Sequence, residues 1–335
     1  MAELFIELFS EEIPSKLQID ARKKIKEIID QKLKKREINF KSSKSFSTPK
    51  RFVFFIEGIP EKIEQKKRII KGPSVKAPQE ALDGFIKSNN LNKSDVYKKN
   101  IEKGEFYFAE SKLKVIDVSK ELQSIIPEAL QSYSWKKSMK WSAHDLDWGR
   151  PLKSIIALFN NEVVNFNFFH LQSSDLTLVD GTNEDKIKKI NSFKSYLSVL
   201  KSQNIILDQE KRKKIILKKM NNICNARNLK NNFNEKLIEE VVNLVEKPNV
   251  IIGRFDEIYL KVPQEILIVT MQQHQKYFPL FDNNNKLTNL FLLVSNLVDK
   301  KGYIKVGNQR VIEARLSDAK FFWDKNKKQN LVKQV

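Results

Sequence analysis

The segment Glu3-Leu4-Phe5-Ile6-Glu7-Leu8-Phe9 decides how the rest of the chain is read. It is short, apolar and β-prone, which marks a mostly buried strand. Ser10 to Pro14 turns the chain. Leu17, Ala21, Ile25, Ile28, Ile29 and Leu33 then recur at helical spacing, with Lys and Arg between them. That pattern predicts an amphipathic helix of about five or six turns. Two strands are expected at Phe40 to Ser47 and Arg51 to Ile59, joined around Thr48-Pro49-Lys50. Proline there presets a turn angle and lacks the N–H that a ladder needs. The order β-α-β-β points to an α+β class, with mixed or antiparallel sheets and packed helices.

Working outward, Lys71-Gly72-Pro73-Ser74 is a breaker, and Ala81, Phe85 and Ile86 mark a short helix after it. A hairpin is expected between Gly104 to Glu110 and Lys112 to Val118, then a helix from Val118 to Trp135 that Pro127 kinks or divides. Ser154 to Phe159 and Glu162 to Phe169 read as paired strands around Asn160-Asn161. Three helices follow, over Ile187 to Leu200, Ile215 to Ile223 and Leu237 to Val245. The third has Asn234 as its N-cap and Pro248 as its stop. Val250 to Phe255 reads as a strand, and Pro263 opens a helix carrying Ile266, Leu267 and Met271. Tyr277 to Phe281 and Leu287 to Val294 form a hairpin, and a helix from about Asn308 to Phe322 precedes Lys325-Asn326-Lys327-Lys328. The expected domains are residues 1–110, residues 111–305 with a helical insert near 184–247, and residues 306–335 as the start of a helical domain.

At 335 residues the chain suits two or three domains. Its hydrophobic fraction of 41% and its 22 Phe exclude a disordered chain. The formal charge of +20 is the largest deviation from an average domain. Such a field attracts polyanions, nucleic acid first and acidic membrane surface second. A codon bias toward Lys and Asn is the alternative source, visible in loops such as Lys98-Lys99-Asn100 and Lys230-Asn231-Asn232. The single cysteine, Cys224, excludes an intrachain disulfide and a cysteine-built zinc site. With no apolar run of ~20 residues and no signal-peptide pattern at Met1-Ala2-Glu3-Leu4, a cytoplasmic location without membrane contact is expected.

No Gly-rich phosphate loop, dinucleotide fingerprint or nucleophile elbow is present. The histidines, His144, His170 and His274, stand far apart in sequence. His144-Asp145 is a dipeptide used by metal-dependent phosphohydrolases, but that site needs further ligands from other helices. Glu11-Glu12 and Glu239-Glu240 read as surface carboxylates. No catalytic residue, metal ligand or bound cofactor is assigned. Trp135-Lys136-Lys137-Ser138-Met139-Lys140-Trp141 either presents ring faces and cations for base stacking or anchors both tryptophans in the core. Arg150 suits a phosphate or a carboxylate at a strand mouth. Gln272-Gln273-His274-Gln275-Lys276 either reads polar edges or holds a sharp helix–strand junction. On the last helix, Arg315 is spaced to pair with Asp318.

Several blocks in this order resemble the β subunit of bacterial glycyl-tRNA synthetase. They are Glu7-Leu8-Phe9-Ser10-Glu11-Glu12-Ile13-Pro14, Thr48-Pro49-Lys50-Arg51, Lys71-Gly72-Pro73, Met139-Lys140-Trp141 and Arg150-Pro151. They continue through Leu244-Val245-Glu246-Lys247-Pro248, Gly253-Arg254-Phe255-Asp256 and Pro263 to Leu267 with Thr270 to Phe278. The last are Gly307-Asn308-Gln309-Arg310-Val311 and Ala314-Arg315-Leu316-Ser317-Asp318-Ala319-Lys320-Phe321-Phe322-Trp323. The resemblance implies an α2β2 class II synthetase in which the α chain activates glycine with ATP and Mg²⁺. The β chain binds tRNA(Gly) and completes aminoacylation, with no cofactor of its own. Lys140, Arg150, His274, Lys276, Arg310 and Arg315 are the candidates for tRNA or subunit contact. Family members carry Thr-x-Gly-His-Arg-Phe where this chain has Thr177-Leu178-Val179-Asp180-Gly181-Thr182, lacking the His and Arg. Family β chains continue into a helical domain of the HD type and an anticodon-binding domain, so this chain is expected to be a split or truncated β subunit. A general basic RNA-binding module and a scaffold for the α chain are the alternative readings.

Overall fold

The computed structural model describes residues 2–64, 69–101, 104–110, 115–179 and 186–328. The chain opens with β1 (Ala2–Ser10), α1 (Ser15–Lys35), β2 (Ser42–Thr48) and β3 (Arg51–Ile59). Next come β4 (Lys62–Glu64), β5 (Ile69–Ser74), α2 (Gln79–Ser88), β6 (Val96–Ile101), β7 (Gly104–Glu110), β8 (Val115–Asp117) and α3 (Val118–Gln131). Strands β9 (Leu152–Phe159), β10 (Glu162–Val163), β11 (Asn167–Phe168), β12 (Leu171–Ser174), β13 (Leu176–Val179) and β14 (Lys186–Lys189) follow. The main sheet has the order β11-β12-β9-β1-β3-β2, with β10 on β9. Its partners are antiparallel except β12 with β9.

β1 sits at the centre and is buried on both faces, which is why its sequence is a nearly continuous apolar run. Alternation along the strand sorts its side chains. Leu4, Ile6 and Leu8 meet Ile25 and Ile29 of α1 and Ile125 and Ile126 of α3 in one cluster. Phe5 points the other way, into a cluster with Val53, Phe55, Ile156, Tyr196 and Leu200. The sheet draws strands from both sides of residue 110, where a domain boundary was expected. The pairing of β1 with β9 is non-local, so composition along the chain carries no mark of it.

The expected hairpin between Gly104 to Glu110 and Lys112 to Val118 does not form among the described residues. β7 lies between β5 and β6, and β8 pairs with β4; residues 111–114 are outside the described set. Pro127 lies inside α3 without dividing it, and the Asp117 carboxylate accepts from Ser119 N at the helix start. Asn160 and Asn161 take positive φ values of 50° and 66° between β9 and β10, as a tight turn requires.

The remaining elements are α4 (Phe193–Ser202), α5 (Gln209–Asn225), α6 (Glu235–Val242), β15 (Asn249–Arg254), α7 (Gln264–Val269), β16 (Phe278–Phe281), β17 (Leu287–Ser295) and α8 (Tyr303–Lys327). The helix expected from Ile187 starts at Phe193 instead. Lys186-Ile187-Lys188-Lys189 instead pairs antiparallel with β13, while Ser192 accepts from Ser195 N to cap the helix. Asn234 caps α6 by accepting from Lys236 N and Leu237 N. That helix ends at Val242, so Pro248 precedes a strand rather than stopping a helix.

The C-terminal sheet, β15-β17-β16, has a helical layer on each face. Ile216 and Met220 of α5 and Leu237 and Val241 of α6 pack on Phe278, Leu280 and Leu292. Leu267 and Met271 with Ile312 and Leu316 of α8 pack on Phe291 and Leu293. α8 begins five residues before the expected start, where the Asp299 carboxylate accepts from Ile304 N and Lys305 N. Phe321 and Phe322 remain exposed, and Trp323 packs partly against the sheet cluster. No described helix is long and apolar enough to cross a membrane.

Candidate functional site

A buried polar junction joins the two sheets. Arg51 at the start of β3 donates through Nη1 to the Glu246 Oε2, 2.9 Å away, and through Nη2 to the Leu178 carbonyl. Its Nε lies 3.6 Å from the Glu7 carboxylate, and its guanidinium stacks over the Phe9 ring. Thr177 donates to the other Glu7 oxygen at 2.6 Å. Arg51, Glu7, Thr177 and Glu246 are all buried. Burial pushes the Glu7 carboxyl above its usual range, with Arg51 and the Thr177 hydroxyl opposing it. Arg212 of α5 is likewise buried and donates to the carbonyls of Ser47, Ile206, Leu207 and Val242. Burial lowers its pKa to about 10. The Gln18 amide donates to Ile13 and Asn243 carbonyls, both at 2.7 Å. Every buried charge here therefore has a specified partner, as burial demands. Thr177, Leu178 and Val179 belong to this junction and to β13, while Asp180 to Thr182 lie outside the described residues. The sequence signal for the junction was Glu7 and Arg51 in otherwise apolar strands.

The six contact candidates fall into two groups. Lys140 and Arg150 lie on the segment between α3 and β9. Lys140 is exposed and reaches Asp145 at 3.9 Å. Arg150 is half-buried and donates to the Gly149 carbonyl at 2.7 Å. In the same segment Trp135 is an anchor. It meets Tyr133 and Trp148 edge-on at 5.0 Å each, and a Cβ on Gly149 would lie 2.5 Å from its ring. Trp135 therefore serves the core. Trp141 is half-exposed and stands edge-on to two histidines.

Those histidines, distant in sequence, are neighbours in space. The rings of His144 and His170 stack with centroids 3.5 Å apart and planes 6° from parallel. Desolvation, then the neighbouring His144, holds His170 below its usual pKa. Parallel rings aim their in-plane lone pairs side by side. An ion at ~2.0–2.1 Å from one nitrogen is out of the other ring's plane. The geometry thus does not build the metal site that His144-Asp145 suggested.

The other four candidates share the C-terminal module. Residues Thr270–His274 form a π-helical turn continuing α7, and α8 packs against it. His274 is exposed at the end of this turn. Lys276 takes a positive φ of 59° and pairs with Glu240 of α6 at 3.1 Å. Tyr277 N donates back to the Met271 carbonyl at 2.9 Å. Lys276 therefore holds the sharp junction between helix and strand. Arg310 and Arg315 are exposed, and neither has a hydrogen bond or ion pair among the described residues; the expected Arg315–Asp318 pair is absent. At 3.6 residues per turn they stand about 140° apart, flanking the inward stripe of Ile312 and Leu316.

A second concave feature lies at the seam of the two sheets, a cleft of about 630 Å³. Lys201, Lys219, Lys247 and the exposed Leu297 and Val298 line it. It was not legible in the sequence, because its walls come from α4, α5 and the loop after β17.

Residues 4–335 match the family model described as glycyl-tRNA synthetase beta subunit. A glycine–tRNA ligase beta subunit of Rickettsia typhi is 37% identical over 325 residues, covering 96% of this chain and 49% of that protein. Its counterpart in Rickettsia felis is 36% identical over 339 residues, covering 100% and 50%. The Rickettsia prowazekii counterpart is 36% identical over 325 residues, covering 96% and 49%. The chain spans about half the length of the curated relatives it matches.

Proposed function

Because this chain belongs to the glycyl-tRNA synthetase β-subunit family, we propose that it contributes tRNA binding and subunit assembly to a glycine–tRNA ligase. On this reading it works in the cytoplasm within an α2β2 heterotetramer. The α chain forms the adenylate from glycine and ATP with Mg²⁺, and tRNA(Gly) is the shared substrate. The family match across residues 4–335 carries the reading. The +20 charge supports a polyanionic partner. Arg310 and Arg315, exposed and unpaired among the described residues, support a contact surface on α8. A guanidinium meets phosphate or carboxylate through two parallel hydrogen bonds, so either tRNA or an acidic patch of the α chain suits them. Lys276 acts at one remove, by holding the π turn against α6.

Reconstitution tests this. The chain alone should show no glycine-dependent pyrophosphate exchange, and adding it to the α chain should raise glycylation of tRNA(Gly). Arg310→Ala should weaken binding of tRNA or α while leaving the melting temperature nearly unchanged. Exchange without α, or glycylation by α that is indifferent to this chain, refutes the proposal.

A further inference from the structure

The three-stranded sheet of β5, β7 and β6 has one covered face and one open face. The register pairs Lys71 with Phe108, Tyr97 with Phe108 and Lys99 with Phe106. Strand alternation therefore collects Ile69, Lys71, Tyr97, Lys99, Phe106 and Phe108 on one face. The opposite face takes α2. Gly72 lies so close to Phe85 that a Cβ there would be 2.9 Å from the ring, and Ala109 is fully buried. On the first face Ile69 is 61% and Tyr97 41% exposed, with both lysines exposed, Phe106 half-buried and Phe108 buried beneath them.

The chemistry of that face is specific. Tyr97 stacks on Phe108 with centroids 6.3 Å apart and planes 25° from parallel. The Lys71 ammonium sits 3.6 Å from the Phe106 centroid, and the Lys99 ammonium 5.9 Å from that of Phe108. Neither lysine has a carboxylate partner among the described residues. Among the described residues the acid on this face is Glu110, which lies at its far end beside Ile69. A protein partner docking here would desolvate two ammonium groups that the face leaves unpaired, a costly burial. A polyanion with flat apolar rings reverses that cost. The Tyr97 and Phe106 rings each accept a base, and each ammonium moves from a ring to a phosphate.

We propose that the open face of the β5-β7-β6 sheet binds unpaired RNA nucleotides, stacking bases on Tyr97 and Phe106 and holding phosphates with Lys71 and Lys99. Duplex RNA is a poor fit because paired bases keep their faces inside the stack. The inference rests on the reading that this chain binds tRNA, and it assigns this sheet to unpaired nucleotides of that ligand.

The test is anisotropy titration of the full chain with a labelled oligo(A), an RNA duplex of equal length and intact tRNA. Tyr97→Ala and Phe106→Leu should each weaken oligo(A) binding by roughly 5- to 150-fold, the effect of losing one stacked base. Lys71→Gln combined with Lys99→Gln should reduce the log–log salt slope by about 1.4, at ~0.7 per phosphate on single strands. Duplex binding should not change. Phe106→Leu keeps an apolar side chain, and Tyr97→Ala alters an exposed one, so melting curves verify that each variant is folded. Folded variants that bind oligo(A) like the parent overturn the inference, while tRNA binding by the parent leaves the broader reading standing. A parent with no affinity for any RNA overturns both. Variants that lose α-chain binding but keep oligo(A) binding would show that the face docks protein instead.

Discussion

Replacing Arg51 with Met tests whether the buried junction holds the two sheets together. The guanidinium donates to Glu246 at 2.9 Å, approaches Glu7 at 3.6 Å and caps the Leu178 carbonyl, all in the interior. Methionine fills similar volume and leaves two buried carboxylates facing each other without that cation. Breaking a buried pair from one side costs about 3–5 kcal/mol, a large part of the ~5–15 kcal/mol that holds an average domain. At a urea slope of about 2–3 kcal/mol/M, a loss near 4 moves the midpoint by roughly 1.3–2 M. The pH dependence separates this cause from lost packing. Glu7 has a folded pKa above its ordinary value. It therefore contributes stability that is full below the unfolded pKa and is lost as pH rises through the folded one. Removing Arg51 takes away a group that lowers this pKa, so the penalty at high pH grows. The deficit of Arg51→Met should be larger at about pH 8 than at about pH 5. Adding Glu7→Gln should recover part of it, since Gln still accepts from the Thr177 hydroxyl. Urea unfolding followed by circular dichroism at both pH values is the assay. A deficit below about 1 kcal/mol, or one equal at both pH values, refutes the reasoning.

Gly149→Ala places a Cβ 2.5 Å from the Trp135 ring and should cost about 1–3 kcal/mol by overpacking, with a shift in tryptophan emission as the second readout. Asp299→Ala removes the acceptor for Ile304 N and Lys305 N and should cost about 0.5–2 kcal/mol, read as a lowered melting temperature. Phe321→Ser with Phe322→Ser alters side chains that are 63% and 58% exposed. Stability should change by less than about 0.5 kcal/mol per site, while hydrophobic-dye binding and self-association should fall; undiminished dye binding would place the exposed apolar surface elsewhere.

Local pattern alone determined the elements whose side chains repeat with a clear period. α1, β3 and the β16–β17 hairpin follow from apolar spacing, and the Asn234 cap and the Asn160-Asn161 turn follow from residue chemistry. Family membership was also legible, because ordered blocks from Glu7 to Trp323 survive in one dimension. Tertiary structure decided everything that depends on who meets whom. Lys186 to Lys189 became a strand because β13 offered a partner, although Ile187 with Ile190 also fits a helix. β7 took β5 and β6 as neighbours rather than the segment after it. Arg51 and Glu246, 195 residues apart, became one ion pair, and His144 and His170 became one stack. Such contacts arise from long-range strand pairing and packing of layers, whose free energy is shared between distant segments. Periodicity reports which face of an element is apolar, and the fold chooses what covers it.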